Sequence, residues 1–243
     1  MQASKQRYLE SSIKQDLDTR MVFIGGPRQV GKKTLARTIG AHYRNPMYFN
    51  WDDRRQKTVL LRQEWAPETD LLIFDELHKY PRWKSFIKGA WDTRRHDEHI
   101  IVTGSSRLDI FRRGGDSLQG RYHYYRLHPF SARELEGVIP FSSVFPKEPP
   151  MPVFDRASSL VAHLFSFGGF PEPALSGSER TLKRWHKERF ERVFREDIRE
   201  SEPIRRLAQV ELLGAILPQR VASPLSIQSL SHDVAGSLHG IPV

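Results

Sequence analysis

Cysteine is absent from the 243 residues, so disulfides, thiolate metal sites and a cysteine nucleophile are excluded. No apolar run approaches the ~20 residues that span a bilayer. The opening segment MQASKQRYLESSIKQDLDTR also lacks the apolar stretch of a signal peptide. The expectation from these absences is a cytoplasmic chain with no membrane partner. There is no H-E-x-x-H; His96 and His99, three apart around Asp97-Glu98, read as surface histidines on one helical face. Negative charge is in the minority, 29 Asp+Glu against 38 Lys+Arg, for a net charge of +9. That excess suits polyanions, nucleotide or nucleic acid. The aromatic-and-basic signature of an RNA-binding sheet is missing.

What the chain does have is the stretch Met21–Thr34, MVFIGGPRQVGKKT. Met21–Ile24 reads as a short buried strand, Gly25 and Gly26 break it, and Gly31-Lys32 leads into a helix over Lys33–Ile39. Strand, glycine loop, lysine and helix in this order is a P-loop. Gly26 and Gly31 can take backbone angles closed to residues with a Cβ, so successive N–H groups turn inward around phosphate oxygens. The helix N-terminus adds partial positive charge, and Lys32 adds a full one for the β- and γ-phosphates. The phosphate-binding set is Gly26, Pro27, Arg28, Gln29, Val30, Gly31, Lys32, Lys33 and Thr34.

One position departs from the pattern. G-x-x-x-x-G-K-[ST] places a magnesium-binding hydroxyl directly after the lysine. Here that residue is Lys33, and the first hydroxyl, Thr34, comes one residue late. One step along a helix is about 100°, so Thr34 is expected to point elsewhere. Nucleotide binding survives this change more readily than hydrolysis does.

A polar helix is expected over 4–20, with Tyr8, Leu9, Ile13 and Leu17 on one side. A second strand, Met47–Trp51, ends in Asp52 and Asp53, either a helix N-cap or contacts to nucleotide or metal. A charged helix over 53–66 follows, then Asp70-Leu71-Leu72-Ile73-Phe74-Asp75-Glu76. Four apolar residues delivering two carboxylates form a Walker B arrangement. Because α/β sheets bind ligands outside the carboxyl ends of their strands, Asp75 and Glu76 should face the loop from the neighbouring strand. Asp75 would hold Mg²⁺, directly or through water, and Glu76 would deprotonate the attacking water. Trp83–Arg95 reads as a helix and 100–106 as a strand ending in hydroxyls. Residues 109–119, with Gly114 and Gly115, read as a loop or short helix before a last strand, Tyr122–Leu127. Near-continuous apolar strands alternating with helices argue for a parallel α/β sheet.

These segments resemble a group of prokaryotic AAA-type P-loop ATPases. The resemblance rests on GPRQVGK at 26–32, LIFDE at 72–76 with His78 and Trp83, VTGSS at 102–106 and SLQGR at 117–121. It continues through RLHPFSARE at 126–134, GGFPE at 168–172 and REDI at 195–198. It implies phosphate binding by Gly26–Lys32, Mg²⁺ coordination by Asp75, catalysis by Glu76 and a sensor-type polar group at Thr103 or Ser105. Arg121 is either an arginine that stabilises the transferring phosphate, in this chain or from a neighbour, or half of a structural salt bridge. The family would carry threonine at position 33. A second ammonium there would compete with Mg²⁺ or partly stand in for its charge.

Beyond residue 138 the chain changes character. Residues 139–153 are proline-rich and read as a linker. Asp155–Phe167 is helical in pattern, Gly168-Gly169-Phe170-Pro171 breaks it, and Ser178–Arg199 is a long basic helix; 154–203 resembles the small helical lid of AAA-type ATPases. Residues 204–217 and 224–238 read as two helices of a helix-turn-helix. Gly240-Ile241-Pro242-Val243 stands where a recognition helix would begin, so a winged-helix element cut short is expected over 204–243.

The expectation is an α/β P-loop NTPase of the AAA type. It would have a three-layer α/β/α core over 1–138 with a mostly parallel sheet, followed by the helical lid and truncated winged helix. It would bind ATP or ADP with Mg²⁺ and hydrolyse ATP to ADP and phosphate where Lys33 permits. The alternatives are a nucleotide-binding module without turnover and a DNA-associated regulatory protein. Self-association and nucleic acid stay open as partners.

Overall fold

The computed structural model describes residues 5–104, 118–137, 154–193 and 207–238. They form two compact units, one within Met1–Ser178 and one within Glu179–Val243. The 139–153 linker, the loop at Gly114 and Gly115, and the REDI segment at 195–198 lie outside the described residues.

The first unit is built on five parallel strands: Met21–Gly25 (β1), Pro46–Asn50 (β2), Leu71–Asp75 (β3), His99–Thr103 (β4) and Tyr122–Arg126 (β5). Their order across the sheet is β2-β3-β4-β1-β5. All five residues of β1 and of β3 are buried, because helices cover both faces of such a sheet and neither face can be polar. Alternate side chains then feed opposite cores. Phe23, Leu72, Phe74, Ile100 and Val102 pack with Trp83 and Ile87 on one side. Val22, Ile24, Ile73 and Ile101 pack with Ile13, Leu17, Leu35 and Ile39 on the other. The result is a three-layer α/β/α P-loop NTPase fold.

The helices of the first layer are α1 (Glu10–Leu17) and α2 (Lys32–Gly40). The second layer holds α3 (Arg54–Arg62) and α4 (Trp83–Thr93). α1 is shorter than the 4–20 expected, and its Ile13 and Leu17 are buried against the sheet. Of the two carboxylates after β2, Asp53 caps α3, accepting from the Arg55 and Gln56 amides at 2.9 and 3.2 Å. Because α4 ends at Thr93, His99 is not on a helix with His96. It opens β4, and its Nδ1 lies 2.8 Å from the Leu17 carbonyl oxygen.

After β5 comes α5 (Ala132–Glu136), started by a capping box in which Ser131 and Glu134 satisfy each other's backbone amides. The Glu134 carboxylate, 1% exposed, also accepts from Arg7 Nε at 2.8 Å and from the Tyr8 amide at 3.1 Å. Arg7 in turn donates to the Val30 and His128 carbonyls. One buried guanidinium thus ties the N-terminal segment, the glycine loop and α5 together. α6 (Phe154–Phe167) and α7 (Pro171–Ser176) complete this unit. Between them the Phe130 amide donates to the Gly169 carbonyl, and a Cβ on Gly169 would lie 2.6 Å from the Phe130 oxygen.

The second unit contains α8 (Glu179–Arg192), α9 (Leu207–Ile216) and α10 (Ile227–Leu238), with a 3₁₀ turn over Leu217–Arg220 between the last two. Arg220 Nη2 donates to Asp233 Oδ2 at 2.8 Å, bracing the turn against α10.

Candidate functional site

β1 runs out at Gly25, and the backbone then turns through Gly26 (φ +142°), Gln29 (φ +63°) and Gly31 (φ +99°) before α2 begins. Gly26 is required: a Cβ there would meet the Leu127 carbonyl oxygen at 2.5 Å. Gly31 is the N-cap of α2 and brings no side-chain cap. The first amides of that helix are therefore left to an anion. Lys32 Nζ donates to the Gly26 and Pro27 carbonyl oxygens, each at 2.9 Å, so the ammonium lies across the loop it follows.

Asp75 and Glu76 reach this loop, although not from the neighbouring strand as expected. β4 lies between β3 and β1, and the Walker B strand faces the loop across it. The two motifs border one hollow of about 500 Å³, lined by Arg28, Gln29, Gly31, Lys32, Lys33 and Thr34 on one side. Asp52, Asp75, Glu76, Lys79, Pro171 and Glu172 line the other.

Asp75 is 8% exposed and held at both oxygens, Oδ1 by the Thr103 hydroxyl and Oδ2 by the Tyr48 hydroxyl. Thr103 is its direct partner in the β3–β4 register. Tyr48 on β2 pairs with Ile73 of β3, which stands two residues before Asp75 and so on the same face. Thr103, wholly buried, therefore clamps a carboxylate instead of lining the hollow as a sensor. Glu76 continues the strand by one bond, its amide donating to the Thr103 carbonyl at 3.0 Å, and then turns into the left-handed region at φ +57°. Burial pushes its carboxyl above the ordinary glutamate value; Lys79 opposes this, Asp75 adds to it and Lys32 opposes it. Lys79 bridges Asp52 at 2.6 Å and Glu76 at 3.6 Å. Burial lowers the Lys79 pKa, but the Asp52 hydrogen bond and the charges of Glu76 and Asp52 outweigh it, and the net shift is upward.

Lys33 does not ion-pair with either Walker B carboxylate among the described residues. Its Nζ lies 5.1 Å from the centroid of the Tyr48 ring, which also carries the Arg37 guanidinium at 4.2 Å. Thr34, expected to point away, borders both the main hollow and a second one of about 240 Å³. Gly31, Thr34 and Pro171 are common to the two; Arg7, Leu35, Thr38 and Phe130 line the smaller.

The donor set fits a magnesium–phosphate pair. Among the described residues no group of three or more His, Asp or Glu side chains could hold a metal by itself. Mg²⁺ is ordinarily held by one or two carboxylates together with substrate phosphates, and Asp75 with Glu76 opposite a phosphate loop supplies those carboxylates.

One expected residue is not brought here. Arg121 precedes Tyr122, the register partner of Met21 at the start of β1, about 13 Å of strand away from Gly25. Its Nε pairs with Asp92 Oδ1 at 2.9 Å. Within one chain it therefore stands at the opposite end of the sheet from the hollow. Ser105 lies outside the described residues. Conversely, Tyr48, Lys79 and Glu172 were not foreseen. The S-x-x-E spelling at 131–134 was a visible signal for the capping box that buries Glu134, whereas nothing local marks Tyr48.

Comparison with known proteins adds the following. Residues 18–136 match the family described as an AAA domain, and residues 158–240 match one described as a domain of unknown function. The uncharacterized protein MJ1544 of Methanocaldococcus jannaschii is 25% identical over 237 residues, covering 90% of this chain and 52% of that protein. The chain thus spans about half the length of the curated relative it matches. Among solved structures, the Walker-type ATPase PABY2304 of Pyrococcus abyssi is similar at 14% identity and TM-score 0.48, over 96% of this chain and 89% of that one. The Aeropyrum pernix ORC1 protein in complex with DNA gives 11% identity and TM-score 0.45, over 99% and 80%.

Proposed function

The chain belongs to the P-loop AAA-type ATPases, and on that premise we propose that it binds ATP and ADP and hydrolyses ATP to ADP and phosphate. The observation that carries this reading is the shared hollow, where the loop of Gly26, Gln29 and Gly31 and the N-terminus of α2 oppose Asp75 and Glu76. The β- and γ-phosphates lie on the loop amides and on Lys32, which exchanges its two carbonyl partners for phosphate oxygens. The nucleoside extends past Thr34 and Pro171 into the smaller hollow, whose Leu35 and Phe130 offer apolar surface. Asp75 is the metal-binding carboxylate. Bound Mg²⁺ would neutralise charge developing on the phosphate oxygens.

Glu76 takes a proton from water as the water oxygen attacks the γ-phosphorus. The bond from that phosphorus to the β–γ bridging oxygen breaks, and ADP leaves with inorganic phosphate. The raised carboxyl pKa suits a base that must hold a proton briefly and pass it on. The helical lid over 154–203 and the helix-turn-helix over 204–243 belong to the same reading, as parts that respond to the nucleotide. A net charge of +9 keeps nucleic acid as a proposed partner, and self-association is proposed beside it.

Lys33 favours a second reading, a nucleotide-dependent switch that binds without appreciable turnover. Calorimetry with ATP and ADP, with and without Mg²⁺, on the intact chain and on Lys32→Ala tests the site. Binding heat that disappears in the variant supports it, and unchanged heat places the nucleotide elsewhere. Phosphate release then separates enzyme from switch.

A further inference from the structure

We propose that Tyr48 is a positioning residue of the magnesium site, its hydroxyl fixing Asp75 while its ring takes the Lys33 ammonium. This rests on the nucleotide-binding reading above and asks what that reading leaves open, namely how the metal half of the site works without the usual hydroxyl.

Two observations converge on this side chain. Its hydroxyl donates to Asp75 Oδ2, while Thr103 donates to Oδ1. The carboxylate is thus pinned at both oxygens, and each oxygen keeps a lone pair for a metal or its water shell. Lys33 and Arg37 stand four apart on α2, both against the face of the Tyr48 ring, at 5.1 and 4.2 Å. Like charges at that spacing repel, and a cation in the first turn of a helix opposes the helix dipole. The ring face answers both, since a π-system attracts cations and a phenol hydrogen-bonded to a carboxylate is richer in electrons than a free one. Lys33 accordingly makes its contact with the ring and no ion pair with Asp75 or Glu76 among the described residues.

Tyrosine at this place is not demanded by packing. β2 is the edge strand, and Tyr48 is only partly buried. A phenylalanine would preserve the ring and its cation contacts and lose only the hydroxyl.

The test separates metal affinity from nucleotide affinity by calorimetry on the full chain. ADP is titrated into metal-free protein, and Mg²⁺ into the ADP complex, for the unaltered chain, Tyr48→Phe and Tyr48→Leu, each with Lys33 or with Lys33→Thr. Tyr48→Phe is expected to weaken Mg²⁺ binding about tenfold or more, as loss of an outer-shell partner does, with metal-free ADP affinity within about twofold of the original. Tyr48→Leu also removes the ring. Its cost to Mg²⁺ binding is expected to be at least about threefold greater with Lys33 in place than in the Lys33→Thr background, a non-additivity that direct coupling requires. Tyr48→Phe with unchanged Mg²⁺ affinity overturns the inference. So does a parallel fall in both affinities, which marks a structural role. If the unaltered chain binds no ADP, the proposed function itself fails, and the inference falls with it. Should Tyr48→Leu not fold, the Tyr48→Phe result decides alone.

Discussion

Asp75 and Thr103 stand opposite each other in the β3–β4 register, and the threonine hydroxyl donates to the carboxylate across it. The pair is buried, with Thr103 wholly inaccessible and Asp75 8% exposed. Thr103→Val keeps the shape and removes the donor, leaving a carboxylate oxygen unanswered. A hydrogen bond to a charged group is worth about 2 kcal/mol, and urea unfolding should show a loss of that size. A loss under about 0.5 kcal/mol, the range of an ordinary surface change, would mean that the bond contributes nothing net.

Glu76 contributes to the pH dependence of stability. Its carboxyl is raised above the usual 4.5 chiefly by burial, so the folded chain holds this proton more tightly than the unfolded chain does. Stability contributed by this group is therefore lost as pH rises from about 4.5 through the higher folded value. Glu76→Gln should flatten that part of the stability profile measured by denaturation at successive pH values. In turnover the same shift moves the acid limb above 4.5, and the variant should release no phosphate. An acid limb at or below the ordinary glutamate value would remove Glu76 from the role of base.

Gly26 tolerates no side chain. With φ at +142° and the Leu127 carbonyl oxygen 2.5 Å from where a Cβ would sit, Gly26→Ala forces either the loop or the segment after β5 to move. Backbone strain of this kind costs about 1–3 kcal/mol. ADP affinity should fall with it by at least about tenfold, because a 1 Å displacement of a preorganised site is felt strongly. Calorimetry and thermal melting of the variant read both effects.

The Arg7–Glu134 pair is 6% and 1% exposed at its two side chains. Removing one partner strands the other charge, which costs about 3–5 kcal/mol in buried pairs. Glu134→Ala should do this, and the double variant Arg7→Ala with Glu134→Ala should cost less than the sum of the two singles. Because Arg7 also binds the Val30 carbonyl, Arg7→Ala alone should weaken ADP binding in addition to stability.

Lys33→Thr restores the hydroxyl that the motif lacks. If that hydroxyl limits metal-dependent turnover, phosphate release should rise severalfold, roughly tenfold for one well-placed ligand. If the unaltered chain is already fast and Mg²⁺-dependent, the lysine is no handicap.

Much of the sheet was legible because a parallel sheet covered on both faces needs uninterrupted apolar strands. The runs at 21–24, 71–74 and 100–102 lie within β1, β3 and β4. The phosphate loop was legible for the same local reason, since glycine spacing is written in adjacent residues. Strand order is not local, so nothing in the sequence told that β4 would come between the two motifs. Of the two readings open for Arg121, the structure shows the ion pair, with Asp92, and its neighbours in sequence say nothing about which end of β5 it occupies. Tyr48 was hidden by register: its strand was readable, but its reach to Asp75 depends on Tyr48 pairing with Ile73. The histidine pair failed because α4 stops at Thr93, before either residue.

The intervening strand β4 also acts as a gauge. Two inter-strand spacings, about 9.5 Å in all, separate the backbone that delivers the glycine loop from the backbone that delivers Asp75. The aperture is therefore set by main-chain hydrogen bonding, which side-chain substitutions in β4 cannot widen or narrow, and selection of what enters falls to the residues at the rim.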